Sequence, residues 1–190
     1  IFFGENFIED HHINDINFGP DEKPEAFEDY KKAYFYAIRV LTRRDLSVYK
    51  MKKKLNDKGY SSEVVTQVLD EIIEKKYLRE DYYAEARIKG FMHKGYSPTS
   101  IKLKLKEEFV DVDKVFIEKI FNEYETNPAN QVKKLIEKKT RHAPEGSLVD
   151  FNFRKKLLRY LVSKGHSLNV ANNEIERIIR GEHEENDDYI

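Results

Sequence analysis

This 190-residue chain predicts an all-α fold, a tandem array of three three-helix repeats, solenoid-like and elongated. Three observations predict it. Leu55-Asn56-Asp57-Lys58-Gly59-Tyr60-Ser61-Ser62-Glu63-Val64 and Leu161-Val162-Ser163-Lys164-Gly165-His166-Ser167-Leu168-Asn169-Val170 share leucine, lysine, glycine, serine and valine at one constant offset, and the match continues through Leu69/Ile175, Ile72/Ile178 and Ile73/Ile179. A weaker copy lies between them, with Leu105 and Val110 where the first has Leu55 and Tyr60. Finally, apolar residues recur at helical spacing between glycine, proline and serine breaks, and a period of roughly 50 residues built this way marks stacked helical units.

The first repeat opens with Tyr34, Ala37, Ile38 and Leu41 on one helical face. Ser47 is placed to cap a second helix carrying Val48, Met51 and Leu55, and Gly59 ends it where a left-handed residue is needed. Ser61 caps a third helix with Val65, Val68, Leu69, Ile72 and Ile73 inside, and the repeat closes near Leu78. These elements set the first repeat at residues 31–78.

In the second repeat, residues 79–126, Glu80 or Asp81 is the expected cap of a helix running through Tyr83, Ala84, Arg87, Ile88 and Phe91 to Gly95. Ser97 as N-cap with Pro98 as first helical residue makes a clear helix start, after which Ile101 and Leu105 face inward. Val112, Val115, Phe116 and Ile120 are read as the apolar stripe of the last helix. Asn127-Pro128 then breaks the chain.

The third repeat, residues 127–180, holds Val132, Leu135 and Ile136, a loop around Pro144-Glu145-Gly146, and then Leu157, Leu158 and Leu161 on a helix ended by Gly165. Val170, Ala171, Ile175, Ile178 and Ile179 form its last helix, with Glu174 narrowing the apolar face where the first repeat has Val68. Residues 181–190 are an acidic tail with too few apolar groups to fold alone. Residues 1–30 hold many large apolar groups, yet Gly19-Pro20 and Pro24 interrupt them, so a short hairpin or an extended arm on the first repeat is expected.

Composition narrows the function classes. With no cysteine there is no disulfide framework and no thiolate metal site, which fits a reducing compartment. No apolar run approaches the roughly 20 residues of a membrane span, so no membrane partner is expected and the cytoplasm is the expected location. None of the phosphate-loop, dinucleotide-loop or nucleophile-elbow glycine patterns occurs, and His11-His12 is better read as an exposed polar pair than as half of a metal site. Neither an enzyme nor a cofactor is expected.

Charge supplies the positive signal. Residues 1–30 carry nine acids against Lys23, and residues 180–190 carry five against Arg180; removing both ends from the total of −1 leaves residues 31–179 at +11. A basic body between acidic ends points to a polyanionic partner, with ends placed to compete for it. The candidate partner- or DNA-binding residues are Arg39, Arg43, Arg44, Lys50, Lys53 and Lys54 in the first repeat, Arg87, Lys89, Lys94, Lys102, Lys104 and Lys106 in the second, and Arg154, Lys155 and Arg159 in the third. Residues 87–106 hold six basic residues and no acid, which ordinary mixed surfaces rarely show. Tyr49, Tyr82 and Tyr96 lie among these charges as candidate platforms for bases.

The motif Ala37-Ile38-Arg39-Val40-Leu41-Thr42-Arg43-Arg44-Asp45-Leu46-Ser47, followed by Lys52-Lys53-Lys54-Leu55 and Lys58-Gly59-Tyr60, resembles the first repeat of the RecX family, bacterial regulators of the RecA recombinase. Tyr77-Leu78-Arg79-Glu80-Asp81-Tyr82-Tyr83-Ala84-Glu85-Ala86 and Lys94-Gly95-Tyr96-Ser97-Pro98 continue the resemblance, which covers about residues 31–180. Arg79 departs from a common acid and Ser97 from a common glycine, both compatible with a helix start. The resemblance implies a binding modulator that lies along the groove of the RecA–DNA filament and suppresses its ATPase, strand-exchange and coprotease activities in recombination, repair and the SOS response; the sequence leaves the oligomeric state open, with a monomer the default. It leaves open capping of filament ends against coating of the groove, and which face touches RecA. The alternative is a stand-alone helical protein that binds single- and double-stranded DNA without a recombinase.

Overall fold

A computed structural model describes residues 24–181, with side chains from Phe27 onward. Nine helices and no strand form among the described residues: α1 (Pro24–Leu41), α2 (Val48–Asp57), α3 (Ser62–Glu74), α4 (Glu80–His93), α5 (Pro98–Glu107), α6 (Lys114–Glu123), α7 (Pro128–Thr140), α8 (Phe151–Ser163) and α9 (Leu168–Arg180). The expected arm over residues 1–23 and the tail beyond residue 181 lie outside the described residues. Residues 24–30, read from the sequence as part of that arm, begin α1 instead; a proline suits the first helical position, and Tyr30 is buried with Ala33, Tyr34 and Ala37.

The chain divides into two compact units within α4, the first ending at Tyr83 and the second beginning at Ala84. In the first unit α3 packs on α1 and α2. Its core joins Tyr34 and Ala37 to Met51 and Leu55 of α2 and to Val65, Val68 and Ile72 of α3. In the second unit α5 packs on α6, and α7, α8 and α9 pack on one another around Val132, Ile136, Leu157, Leu161 and Ile175. Leu55, Leu105 and Leu161 occupy equivalent positions and all three are fully buried.

Local chemistry explains the helix starts. The side chains of Ser47, Ser61, Ser97 and Ser167 each accept the backbone N–H three residues on, Asn127 and Asp150 cap α7 and α8 in the same way, and Asp113 caps α6 by accepting the N–H of Val115, two residues on. Glu80 does not cap its own helix. Its carboxylate accepts the Val48 N–H at 3.2 Å, so it completes the cap of α2, and burial there holds its pKa above the ordinary value against the pull of that hydrogen bond.

The helix ends follow a shared rule. Gly59 and Gly165, after α2 and α8, sit at φ of 87° and 88°, and at the matching place after α5 the chain has Phe109 at φ 58°. Lys76, Glu125 and Gly181 repeat the left-handed turn after α3, α6 and α9. A side chain in this conformation is strained by contact with its own backbone. Phe109→Gly is therefore expected to stabilise the second unit by about 0.5–1 kcal/mol, the relief of strain being partly offset by the looser unfolded chain. A thermal melt unchanged or lowered by the substitution would refute this.

Two expected stripes are corrected. In α6 the buried residues are Ile117, Ile120 and Phe121, while Val115 is 66% exposed and Phe116 only half-buried. The helix carries two overlapping apolar rows sharing Ile120, and packing against α5 selects the other one. Ile73 and Ile179, equivalent residues read as inward, are 41% and 38% exposed and lie at the edge of their stripes. Glu174 is buried beside Arg177 Nη1 at 3.6 Å, an ionic contact at the place of Val68 in the first unit.

Candidate partner and nucleic-acid interface

The sequence-selected cations separate into those held by the protein and those left to solvent. In the first unit Arg39 lies in the last turn of α1, and Arg43 and Arg44 follow in the exposed connection to α2. Together with Lys53 and Lys54 they form no ion pair among the described residues. Lys50 is different: its ammonium donates to the Tyr83 hydroxyl and lies 5.1 Å from the centre of that ring. Tyr82, half exposed, carries the Arg79 guanidinium 3.6 Å above its ring, which makes Arg79 part of an exposed cation–aromatic platform.

In the second unit the acid-free window 87–106 is partly neutralised from outside itself. Arg87 pairs with the Glu108 carboxylate and covers the Phe91 ring at 4.5 Å. Lys89 pairs with Glu85 one turn earlier, and the hydrogen bonds its ammonium donates to that carboxylate and to the Tyr124 hydroxyl hold its pKa above the ordinary value. Lys104 leans on Tyr96, 4.8 Å from its ring centre. Lys94, Lys102 and Lys106 remain exposed and without an ion pair among the described residues.

Three further lysines join Lys94. A cavity of about 400 Å³ is lined by Lys94, Lys134, Lys138 and Lys164 with Tyr124 and Tyr160, and no carboxylate lines it. Lys134 and Lys138 lie one turn apart on α7 and so share a face. Lys164, at the C-cap of α8 where a cation is favoured by the helix dipole, stands 3.9 Å over the Tyr96 ring and 5.7 Å from that of Tyr160. Cations beside exposed aromatic faces can hold phosphate and a stacked base together. Sequence inspection passed over these three because they are spread over α7 and the end of α8; the Lys134/Lys138 spacing was the available signal. In the third repeat Arg154 is bound by Glu176 at 2.7 Å and by Asn172 at 3.1 Å, whereas Lys155 and Arg159 are exposed. No group of three metal-ligating side chains occurs among the described residues, and His11-His12 lies outside them.

The cavity is braced by two turns of the chain. Ser97 N–H donates to the Lys164 carbonyl at 2.9 Å, and His166 Nε2 lies 2.9 Å from the Gly95 carbonyl, so that nitrogen carries the proton. Nδ1 of His166 is buried without a hydrogen-bond partner. Burial lowers the pKa of His166 below its ordinary value of 6.5, the hydrogen bond to Gly95 opposing only in part. The unfolded chain thus binds a proton here that the folded chain refuses. The stability contributed by neutral His166 is complete above about pH 6.5 and declines as pH falls below it. The urea midpoint should drop between pH 7 and pH 5, and less in His166→Gln; parallel pH curves for the two proteins would overturn the assignment.

Comparison with known proteins agrees with this architecture. Residues 33–71, α1 to α3, match the family model described as the first three-helix domain of RecX. The regulatory protein RecX of Legionella pneumophila (strain Corby) is 30% identical over 129 residues, covering 68% of this chain and 85% of that protein. Its counterpart from Clostridium perfringens (strain SM101) is 23% identical over 158 residues, 83% of this chain and 74% of that protein. The crystal structure of RecX from Lactobacillus salivarius superposes with a TM-score of 0.62 at 19% identity, covering 80% of this chain and 98% of that one.

Proposed function

Because the chain belongs to the RecX family of regulatory proteins, we propose that it binds the filament that RecA forms on DNA and restrains its ATP hydrolysis, strand exchange and coprotease activity. It acts in the cytoplasm as a monomer, by occupying a surface and without chemistry of its own. The observation that carries this reading is the lysine-lined cavity of the second unit, which has no carboxylate on its wall and aromatic rings among its cations. Arg39, Arg43, Arg44, Lys53 and Lys54 give the first unit a cationic surface of its own. Two modest electrostatic contacts on one chain reinforce each other when both sites lie on the same filament, because the second contact forms at high effective concentration.

The test is a titration of the protein into preformed RecA filaments with ATP hydrolysis as readout. Inhibition is expected at protein concentrations far below the concentration of filament protomers. If inhibition appears only when the protein saturates the DNA, and excess DNA abolishes it, the protein is a stand-alone nucleic-acid binder and the recombinase is not its partner.

A further inference from the structure

Tyr160 belongs to two cavities. The larger is the lysine-lined one of about 400 Å³. The smaller, about 160 Å³, is lined by Lys139, Lys156 and Tyr160 with Phe153 and Leu157, and it too has no carboxylate on its wall. Lys156 and Tyr160 lie one turn apart on α8 and share a face, and Lys139 reaches them from the last turn of α7, its ammonium 4.5 Å from the centre of the Tyr160 ring. Lys164 lies 5.7 Å from the same ring centre. Lys139 and Lys156 are exposed and form no ion pair among the described residues. Glu137, the one carboxylate on α7, lines neither cavity.

The two volumes and the shared ring discriminate between forms of nucleic acid. Unpaired cations attract any polyanion, but an aromatic ring between them is used only by a base that has left its stack, which a single strand yields cheaply and a duplex does not. About 400 Å³ lies in the range of pockets that enclose a molecule of the size of one nucleotide. About 160 Å³ is too small for base and sugar together, and two ammonium groups on its wall suit one phosphate.

We propose that the two cavities are consecutive subsites for single-stranded DNA, with one unpaired nucleotide in the larger, its base against Tyr160, and the adjoining phosphate held by Lys139 and Lys156 in the smaller. Tyr160 is then the residue that selects a single strand over a duplex. The proposal rests on the lysine cavity being the nucleic-acid contact, as in the proposed function, and names the form of DNA which that contact accepts.

The test is fluorescence anisotropy of the whole chain with a short oligothymidylate, with a strand of equal length built of abasic residues, and with a hairpin duplex carrying the same number of phosphates. The oligothymidylate should bind at least about fivefold more tightly than either competitor, the share of one stacked base. Tyr160→Leu should abolish that preference and leave duplex binding unchanged, while Tyr160→Phe, which keeps the ring, retains it. Lys139→Ala with Lys156→Ala changes two exposed residues, so folding is preserved, and should lower the slope of log affinity for the oligothymidylate against log salt by about 0.7, the value of one phosphate contact. Circular dichroism verifies that every variant remains helical. A wild-type slope in the double variant would overturn the proposal, and so would equal losses on oligothymidylate and duplex in Tyr160→Leu. Selective binding of the single strand by a protein that leaves RecA filaments uninhibited would refute the proposed function and leave the subsites standing; full inhibition by a protein without that selectivity would do the reverse.

Discussion

Gly165→Ala is expected to lower the stability of the second unit by about 2–5 kcal/mol, against about 1–2 kcal/mol in the first unit for Gly59→Ala. Both residues sit at nearly the same left-handed φ, 88° and 87°, so the backbone strain of adding a Cβ is common to both. The surroundings are not. A Cβ at Gly59 meets nothing within 4 Å, whereas one at Gly165 would lie 1.9 Å from Ser100 Oγ, 2.5 Å from Ser97 Oγ and 2.8 Å from Ser100 Cβ. Ser97 cannot simply retreat, because its side chain caps α5 and its N–H is bonded to Lys164. At roughly 2–4 °C per kcal/mol for a protein of this size, the two melts separate clearly. Equal losses at the two sites would mean that the turn of residues 164–166 moves away from α5 at little cost.

The triple substitution Lys94→Ala, Lys134→Ala and Lys138→Ala is expected to reduce the slope of log affinity for single-stranded DNA against log salt by about 2, from roughly 0.7 per phosphate contact. Near 0.1 M salt this corresponds to a loss of about a hundredfold in affinity, with little dependence on base sequence. Folding should be nearly unaffected, since all three side chains are exposed. Lys89→Ala is the matched control: its ammonium is already held by Glu85, so the slope should stay at the wild-type value. A triple variant with wild-type slope and full inhibition of RecA would move the contact to Arg39, Arg43 and Arg44 or to Lys155 and Arg159.

Features decided within a few residues were legible in the chain. Ser47, Ser61 and Ser97 cap helices because a hydroxyl three residues ahead of an orphan N–H needs no other partner, and Gly59 and Gly165 end helices because few other residues tolerate the turn. Phe109 makes the same turn without the glycine that announces it, and α6 offers two apolar rows between which only packing decides. The site was less legible for a related reason. Charge along the sequence located the cations but not their partners, and Glu85 and Glu108, just outside the richest window, hold Lys89 and Arg87. Lys134, Lys138 and Lys164 come together only through the packing of α7 with α8.

The brace between residues 95–97 and 164–166 also governs the order in which the chain matures on the ribosome. Among the described residues, the core cluster of the first unit runs from Tyr30 to Leu78, so that core can close soon after they leave the exit tunnel. The second unit has no such freedom. The amide of Ser97 and the carbonyl of Gly95 must wait for Lys164 and His166, about 70 residues downstream. Until then α4 and α5 stand in the cell without their tie to the third repeat. A ribosome stalled before residue 164 should therefore carry a protease-resistant first unit followed by a digestible second one.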